Sequence, residues 1–315
     1  MKYGFGVDLG GTTVKIALFN EAGDLLDKWE IPTDVSDNGC RILKDISDAI
    51  HAYLQRSNIA YDQVIGVGIG VPGAVLPNGT VNKCINLGWG KFDITGEFQK
   101  LVGFPVRAGN DANVAALGEF WKGGGRGTRS MVMITLGTGV GGGIVLDGKL
   151  LCGEHGAGGE IGHLVLNRHE TERCNCGKYG CVEQYCSATG IVRLAKKALG
   201  ASELDSPLRE IETLTCKDIF DAGKEGDAVA LEILERVYGY LGQLVGLVCS
   251  TLDPQAVVIG GGVSKAGEVL LEGIRSHYRT YTFHAATDEE FRLASLGNDA
   301  GACGAFKLAL DAAKR

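Results

Sequence analysis

The chain of 315 residues is 45% hydrophobic, enough to bury the cores of two lobes, and its net charge of −7 without a basic stripe argues against a nucleic-acid partner. Its longest uncharged runs, Gln63 to Asn82, Ser130 to Leu146 and Val237 to Leu252, are too short or too rich in proline, glycine and polar residues to span a bilayer. Ten scattered cysteines, in a chain whose first apolar stretch is broken by Asp8, read as reduced thiols of a cytoplasmic protein and exclude a small secreted disulfide scaffold.

The first predicted element is a β-hairpin. Phe5, Val7 and Leu9 alternate before Gly10-Gly11, and Val14, Ile16 and Leu18 alternate after it, around a Gly-Gly-Thr-Thr turn. A third strand, Leu25 to Ile31, follows the turn from Glu21 to Asp24. Gly109-Asn110-Asp111-Ala112 then opens a helix from Ala112 to Trp121, with Asn or Asp at the ordinary capping position, and Gly123 to Gly127 reads as a surface loop.

A second hairpin, Met131 to Leu146, repeats the pattern of strand, glycine turn and strand, and Asp147-Gly148 signals a further turn. Two G-x-G-x-x-G matches, at Gly68 and Gly137, do not make a dinucleotide fold. That fingerprint needs a helix to begin inside the glycines, whereas Ile144 to Gly148 continues as strand and Pro72 interrupts the other. A nicotinamide-dependent oxidoreductase is disfavoured on the same ground, and no P-loop motif occurs. What remains is two turns, Gly10-Gly11-Thr12-Thr13 and Gly137-Thr138-Gly139, whose backbone N–H groups and hydroxyls suit phosphate oxygens.

Next comes His163, then Cys174, Cys176, Cys181 and Glu183, spaced H-x10-C-x-C-G-x2-G-C-x-E. Three cysteines set among charged and glycine residues suit one tetrahedral zinc, closed by His163 or, alternatively, by Cys186. The imidazole would keep its second nitrogen for another partner, such as a ligand hydroxyl. The stretch from Val182 onward reads as the start of a helix.

Asp227 to Leu252 carries helical spacing and stops at Asp253-Pro254. Ala256 to Ile259 is a short buried strand, Gly260-Gly261-Gly262 a turn, and Ser264 to Tyr278 a helix, a junction that suits a nucleoside or phosphate at a helix N-terminus. Gly297-Asn298-Asp299-Ala300 echoes the earlier Gly-Asn-Asp-Ala and opens the last helix, Ala300 to Ala313, which points to internal duplication, again with capping as the default for the acidic residue.

Taken together, Asp8-x-Gly10-Gly11-Thr12, Asn110-Asp111-Ala112-Asn113, the run Leu136 to Gly143, Glu160-Ile161-Gly162-His163, the cysteine cluster with Glu183, and Gly260-Gly261-Gly262 resemble the ROK family of sugar kinases and related repressors. The resemblance implies an α/β, actin-like ATPase (ribonuclease H-like) fold with duplicated lobes. The first lobe would be residues 1–111 completed by 300–315, the second residues 112–299 with the zinc knuckle, and the active site the cleft between them. It implies Asp111 as general base, with Asn110, Glu160, His163 and Glu183 on sugar hydroxyls, and His163, Cys174, Cys176 and Cys181 on structural Zn²⁺.

Asn86-Leu87-Gly88-Trp89 is similar to the glucokinase branch, which adds Asn86 and Gly73 as sugar contacts. Phosphates would lie on Gly10, Gly11, Thr12, Thr13, Thr138 and Gly139, the nucleoside side on Gly260, Gly261 and Gly262, and Asp8 would orient hydrated Mg²⁺. The expected reaction is ATP-dependent phosphorylation of a hexose, glucose first, by a homodimer or homotetramer. The alternatives are a kinase for N-acetylmannosamine or fructose, or a non-catalytic sugar sensor; the repressors carry a helix-turn-helix ahead of the first glycine hairpin, which here begins at residue 3. The cluster is expected to act on the sugar side, with the phosphate turns lying elsewhere.

Overall fold

In the computed structural model, which describes residues 1–314, the alternating residues around Gly10-Gly11 build an antiparallel pair. Strands β1 (Tyr3–Leu9) and β2 (Thr13–Asn20) place Val7 opposite Ile16 and Leu9 opposite Val14. β3 (Leu25–Pro32) extends the pair where the sequence predicts a third strand. After a short turn, α1 (Ser36–Gly39), helix α2 (Ile42–Arg56) buries Ile42, Ile46, Ile50 and Leu54, one stripe at four-residue spacing. β4 (Val64–Val71) runs parallel to β1 and is buried along almost its whole length, so its apolar residues alternate with Gly66, Gly68 and Gly70 rather than with polar ones.

Past Pro72, β5 (Ala74–Val75), β6 (Thr80–Lys83) and β7 (Phe92–Asp93) form a small separate sheet. Helix α3 (Ile94–Val102), capped by the Asp93 carboxylate on the Gly96 N–H, leads into β8 (Val106–Asn110) and helix α4 (Asp111–Lys122). The first main sheet therefore has the order β3-β2-β1-β4-β8.

The second glycine hairpin supplies β9 (Met131–Leu136) and β10 (Val140–Leu146), followed by β11 (Lys149–Leu150). Helices α5 (Glu183–Cys186), α6 (Ala188–Ala201), α7 (Cys216–Lys224) and α8 (Ala228–Leu252) come next. α8 begins where the Asp227 carboxylate accepts the Ala230 N–H and ends at Asp253 in the left-handed conformation, one residue before Pro254. β12 (Ala256–Gly260), helix α9 (Glu268–Tyr278) and β13 (Glu290–Leu293) complete a sheet of order β11-β10-β9-β12-β13. That order repeats the first sheet strand for strand, so the duplication suggested by the paired hairpins extends to the topology.

The last helix, α10 (Ala300–Ala313), lies on the first sheet where glycines remove the side chains in its way. A Cβ on Gly68 would stand 1.6 Å from the Ala305 carbonyl oxygen, and one on Gly6 would stand 1.9 Å from that of Ala302. Both obstacles are helix backbone, which cannot swing aside. Gly68→Ala is accordingly expected to destabilise the fold by about 1–3 kcal/mol, read as a lower thermal midpoint. Gly200→Ala, whose Cβ would meet nothing within 4 Å, should leave the midpoint unchanged or raise it.

Helix α4 packs against α10 through Gly118 and Gly304, each of which lets the other backbone approach. One compact unit accordingly contains residues 1–127, 143–159 and the chain from Leu296; the other contains residues 128–142 and 160–295. Asn110 caps α4 by accepting the Asn113 N–H at 3.1 Å. The expected counterpart at α10 is absent, because Asp299 makes no side-chain cap and instead pairs with Lys28 at 2.7 Å. No helix among the described residues is long and apolar enough to cross a membrane.

Candidate functional site

In the first unit, the turn between β1 and β2 is tied down from two directions. The Gly10 N–H donates to the Thr13 carbonyl at 3.0 Å, while Thr33 donates its N–H to the Thr12 carbonyl and its hydroxyl to the Gly10 carbonyl. Gly11 and Thr12 stay exposed at the tip of the turn. Asp8 sits on β1 below this turn, 3.9 Å from the Lys15 ammonium. Its carboxylate lies against the start of α10, where a Cβ on Gly301 would be 2.7 Å from its Cγ. Burial pushes the Asp8 carboxyl above its usual range, and Lys15 opposes that shift. Asp8 is marked in the sequence by its place in the motif Asp8-x-Gly10-Gly11-Thr12; Lys15, Thr33 and Gly301 carry no local signal.

Asn110 uses both ends of its amide at the junction of β8 and α4. Its oxygen caps the helix, and its nitrogen donates to the Gly73 carbonyl at 3.0 Å. Gly73 has φ of 95°, and a Cβ there would stand 2.5 Å from the Lys83 carbonyl oxygen, so only glycine fits. Asp111, next in the chain, is half-exposed at the first turn of α4, with Oδ1 accepting the Ala112 N–H at 2.8 Å. Asn86 is exposed at the tip of a loop closed by reciprocal backbone bonds between Cys84 and Trp89. A Cβ on Gly73 would also lie 3.6 Å from the Cys84 Cα, which sets this loop beside Gly73, and burial pushes the Cys84 thiol up, with the Asp111 carboxylate adding to the shift. Gly73, Asn86, Asn110 and Asp111 thus belong to one neighbourhood.

In the second unit, His163, Cys174, Cys176 and Cys181 bring four ligand atoms within 4.8 Å of one another. Cys176 Sγ and Cys181 Sγ are 3.6 Å apart, and Cys174 Sγ is 3.8 Å from His163 Nδ1. A tetrahedron with metal–sulfur bonds of about 2.3 Å has edges of about 3.8 Å, so the donor set and its spacing fit a closed four-coordinate metal site. Cys186, the alternative fourth ligand, is instead fully buried on α5. His163 presents Nδ1 to the cysteines and Nε2 toward Glu160, whose Oε2 is 4.0 Å away.

Glu183 stands between this loop and the second glycine turn. Its Oε1 is 3.6 Å from Cys174 Sγ, and its Oε2 accepts the Val140 N–H at 3.1 Å. The expectation that the phosphate turns lie away from the cluster is therefore wrong for the second turn. A Cβ on Gly139 would come within 2.4 Å of Glu183 Oε2, so glycine is what admits the carboxylate. The turn has two other braces: the Ala188 N–H on the Gly137 carbonyl and the Thr189 hydroxyl on that of Thr138, both at 2.8 Å. A polar cavity of about 260 Å³, lined by Thr138, Gly139, Cys174, Glu183 and Arg173 among others, joins the turn to the loop.

The third turn departs from expectation. Gly261 has φ of 83° and is pressed on the Leu136 backbone, but the residues after it form a short 3₁₀ turn, Gly262–Ala266. Gly267, at φ of 75°, breaks the chain before α9 starts at Glu268, so the turn does not abut that helix's N-terminus. It borders instead a mostly apolar cavity of about 230 Å³ walled by Ala188, Phe220, Val263 and Ala266, with Lys217 and Lys265 beside it. Neither Phe220 nor Cys216, which also lines it, was marked by the sequence. A cavity of about 520 Å³ around Arg129, Asp253 and Glu289 contains none of the candidate residues.

Behind the metal loop, Glu170 accepts Arg193 and the Tyr185 hydroxyl, each at 2.7 Å. The Arg193 guanidinium, outweighing burial with help from Tyr185, holds the Glu170 carboxyl down at about 2. A folded-state value below the unfolded one of 4.5 means that this contribution to stability is complete above about pH 4.5 and is lost as pH falls toward 2. The difference in thermal midpoint between wild type and Glu170→Gln should therefore be constant from pH 7 to 5 and shrink between pH 4.5 and 3. A difference that grows on acidification would contradict the assignment.

The ROK family model matches residues 4–312 of the chain. A glucokinase of Halalkalibacterium halodurans is 44% identical over 304 residues, covering 95% of this chain and 92% of the relative. A glucokinase of Thermotoga maritima is 38% identical, with 96% of each chain covered. Among solved structures, a ROK family glucokinase from Streptomyces griseus in complex with glucose and AMPPNP has a TM-score of 0.75 at 33% identity, covering 97% of this chain and 98% of that one. A ROK hexokinase from Thermus thermophilus has a TM-score of 0.80 at 30% identity, with 96% of each covered.

Proposed function

The chain belongs to the ROK family and has the α/β actin-like ATPase fold, and from that membership we propose that it is a glucokinase, transferring the γ-phosphoryl group of ATP to the 6-hydroxyl of glucose. The observation that carries the reading is the junction of β8 and α4. Asn110 spends its amide on the helix cap and on Gly73, which fixes the backbone from which Asp111 projects. A sugar hydroxyl is a poor nucleophile until a carboxylate accepts its proton, and Asp111 is assigned that role. Asn110, Gly73, Asn86, Glu160, His163 and Glu183 are assigned to the sugar hydroxyls, where neutral and acidic groups match an array of donors and acceptors.

Phosphoryl transfer otherwise needs positioning and charge neutralisation. The turns Gly10-Gly11-Thr12-Thr13 and Thr138-Gly139 are assigned to the phosphates. The Gly260-Gly261-Gly262 turn is assigned to the nucleoside, with the adenine against Phe220 and Val263 in the adjoining cavity. Asp8, a single half-buried carboxylate, suits Mg²⁺, an ion that keeps most of its water and neutralises phosphate charge when bound. The metal of the cysteine loop is assigned as structural Zn²⁺ on His163, Cys174, Cys176 and Cys181, leaving His163 Nε2 to a sugar hydroxyl. Among the described residues no cysteine is paired in a disulfide, which accords with a reducing cytoplasm.

The test is ADP release with ATP and Mg²⁺ against glucose, mannose, fructose, N-acetylglucosamine and N-acetylmannosamine. Glucose is expected to give the highest kcat/KM. A higher value for an N-acetylhexosamine would move the chain to another branch of the family, and no turnover with any sugar would favour the non-catalytic sensor.

A further inference from the structure

Gln184 is a buried amide with every strong bond directed at the metal loop. Its Oε1 accepts the N–H groups of Gly180 at 2.8 Å and Cys181 at 3.2 Å, and its Nε2 donates to the Glu172 carbonyl at 2.9 Å. Two donors on one side and a carbonyl on the other fix which end of the amide is which. The three backbone groups flank the cysteines, with Glu172 two residues before Cys174 and Gly180 immediately before Cys181. One side chain thus clasps the loop at entry and exit.

The clasp is itself held. Arg193 donates Nε to the Gln184 carbonyl at 3.2 Å and Nη1 to Glu172 at 2.8 Å, so the residue that clasps and the strand it clasps share an anchor on α6. Gly180 has no room to drift, because a Cβ there would stand 1.8 Å from the Asn167 carbonyl oxygen, and its own carbonyl accepts the Leu166 N–H at 2.9 Å. Within the loop, the Cys174 N–H on the Lys178 carbonyl and the Gly177 N–H on the Cys174 carbonyl close a tight hairpin. These protein bonds converge on the loop that carries Cys174, Cys176 and Cys181.

We propose that Gln184 is a positioning residue that holds the cysteine loop in its metal-binding shape and keeps Glu183, the preceding residue, in its aim. The inference rests on the reading of the loop as a zinc site. Partners one shell out from a metal typically set its affinity by about tenfold to a hundredfold. An apolar side chain of similar length would leave two buried N–H groups and the part-buried Glu172 carbonyl without this partner, and the loop would open to water to satisfy them. A carboxylate would keep the two N–H bonds and lose the third.

The experiment is zinc affinity by competition with a chromophoric chelator for the full-length wild type, Gln184→Met and Gln184→Glu, with near-UV circular dichroism as the check of folding and KM for glucose and ATP alongside. Gln184→Met is expected to weaken zinc binding by about tenfold or more and Gln184→Glu by less, with the KM for glucose rising more than that for ATP. Zinc affinity within about twofold of wild type in Gln184→Met, or in Gln184→Glu if the first variant does not fold, would overturn the proposal. A wild type that binds no zinc would overturn the metal reading itself, and a separate arm of the same titration reports it.

Discussion

Asp111→Asn is expected to lower kcat by about a hundredfold or more while leaving the KM for glucose and the fold nearly unchanged. The expectation has two parts. An amide has no basicity with which to take the proton of the 6-hydroxyl, so the chemical step loses its base. The amide oxygen still accepts the Ala112 N–H that Asp111 Oδ1 accepts at 2.8 Å, and Asn110 still caps α4, so the start of the helix keeps its bonds. Asp299→Asn is the matched control from the echoed Gly-Asn-Asp-Ala motif. Its carboxylate caps nothing and pairs with an exposed lysine, so it should cost less than about 1 kcal/mol of stability and no activity. Near wild-type kcat in Asp111→Asn would move the general base elsewhere.

Loss of the metal loop is the second large effect. Cys176→Ser is expected to abolish stoichiometric zinc and to raise the KM for glucose by about tenfold or more, because without the metal the imidazole is free to rotate and the loop that sets Cys174 beside Glu183 is released. The effect on ATP is a matter of weighing bonds. Glu183 holds the second phosphate turn through the Val140 N–H, but the Ala188 N–H and the Thr189 hydroxyl hold the same turn without the loop. The KM for ATP should therefore rise by no more than about threefold. Metal content by elemental analysis, beside both KM values on soluble folded variant, decides it. Zinc loss with the sugar KM intact would make the loop a structural staple remote from the substrate.

Local patterns carried most of what was legible in the sequence. The hairpins around Gly10 and Gly137 were readable because period-two alternation and a glycine turn lie within about a dozen residues of each other. The cysteine cluster was readable because three of its ligands lie within eight residues. Asn110 and Asp111 stood out as a helix start.

What stayed hidden depends on residues distant in the chain. Gln184 looked like an ordinary helix position, and its bonds to Gly180 and Glu172 appear only once the loop folds back. The contact of Gly139 with Glu183, which undid the expected separation of metal loop and phosphate turn, spans 44 positions of the sequence. The sequence pattern starts the helix at Ser264 because Gly267 resembles a tolerated helix glycine, whereas its φ of 75° ends one segment and α9 begins only at Glu268. The helix start at Asp111 is what the sequence offers as the end of the first lobe, whereas the packing of α4 on α10 through Gly118 and Gly304 has no local signature.

The most direct measurement is the fate of the γ-phosphoryl group. Wild-type protein incubated with γ-labelled ATP, Mg²⁺ and glucose is expected to place the label on the 6-oxygen of glucose, identified by ³¹P and ¹³C NMR, and to transfer none to 6-deoxyglucose. Label found on another hydroxyl, or released only as inorganic phosphate, would contradict the account.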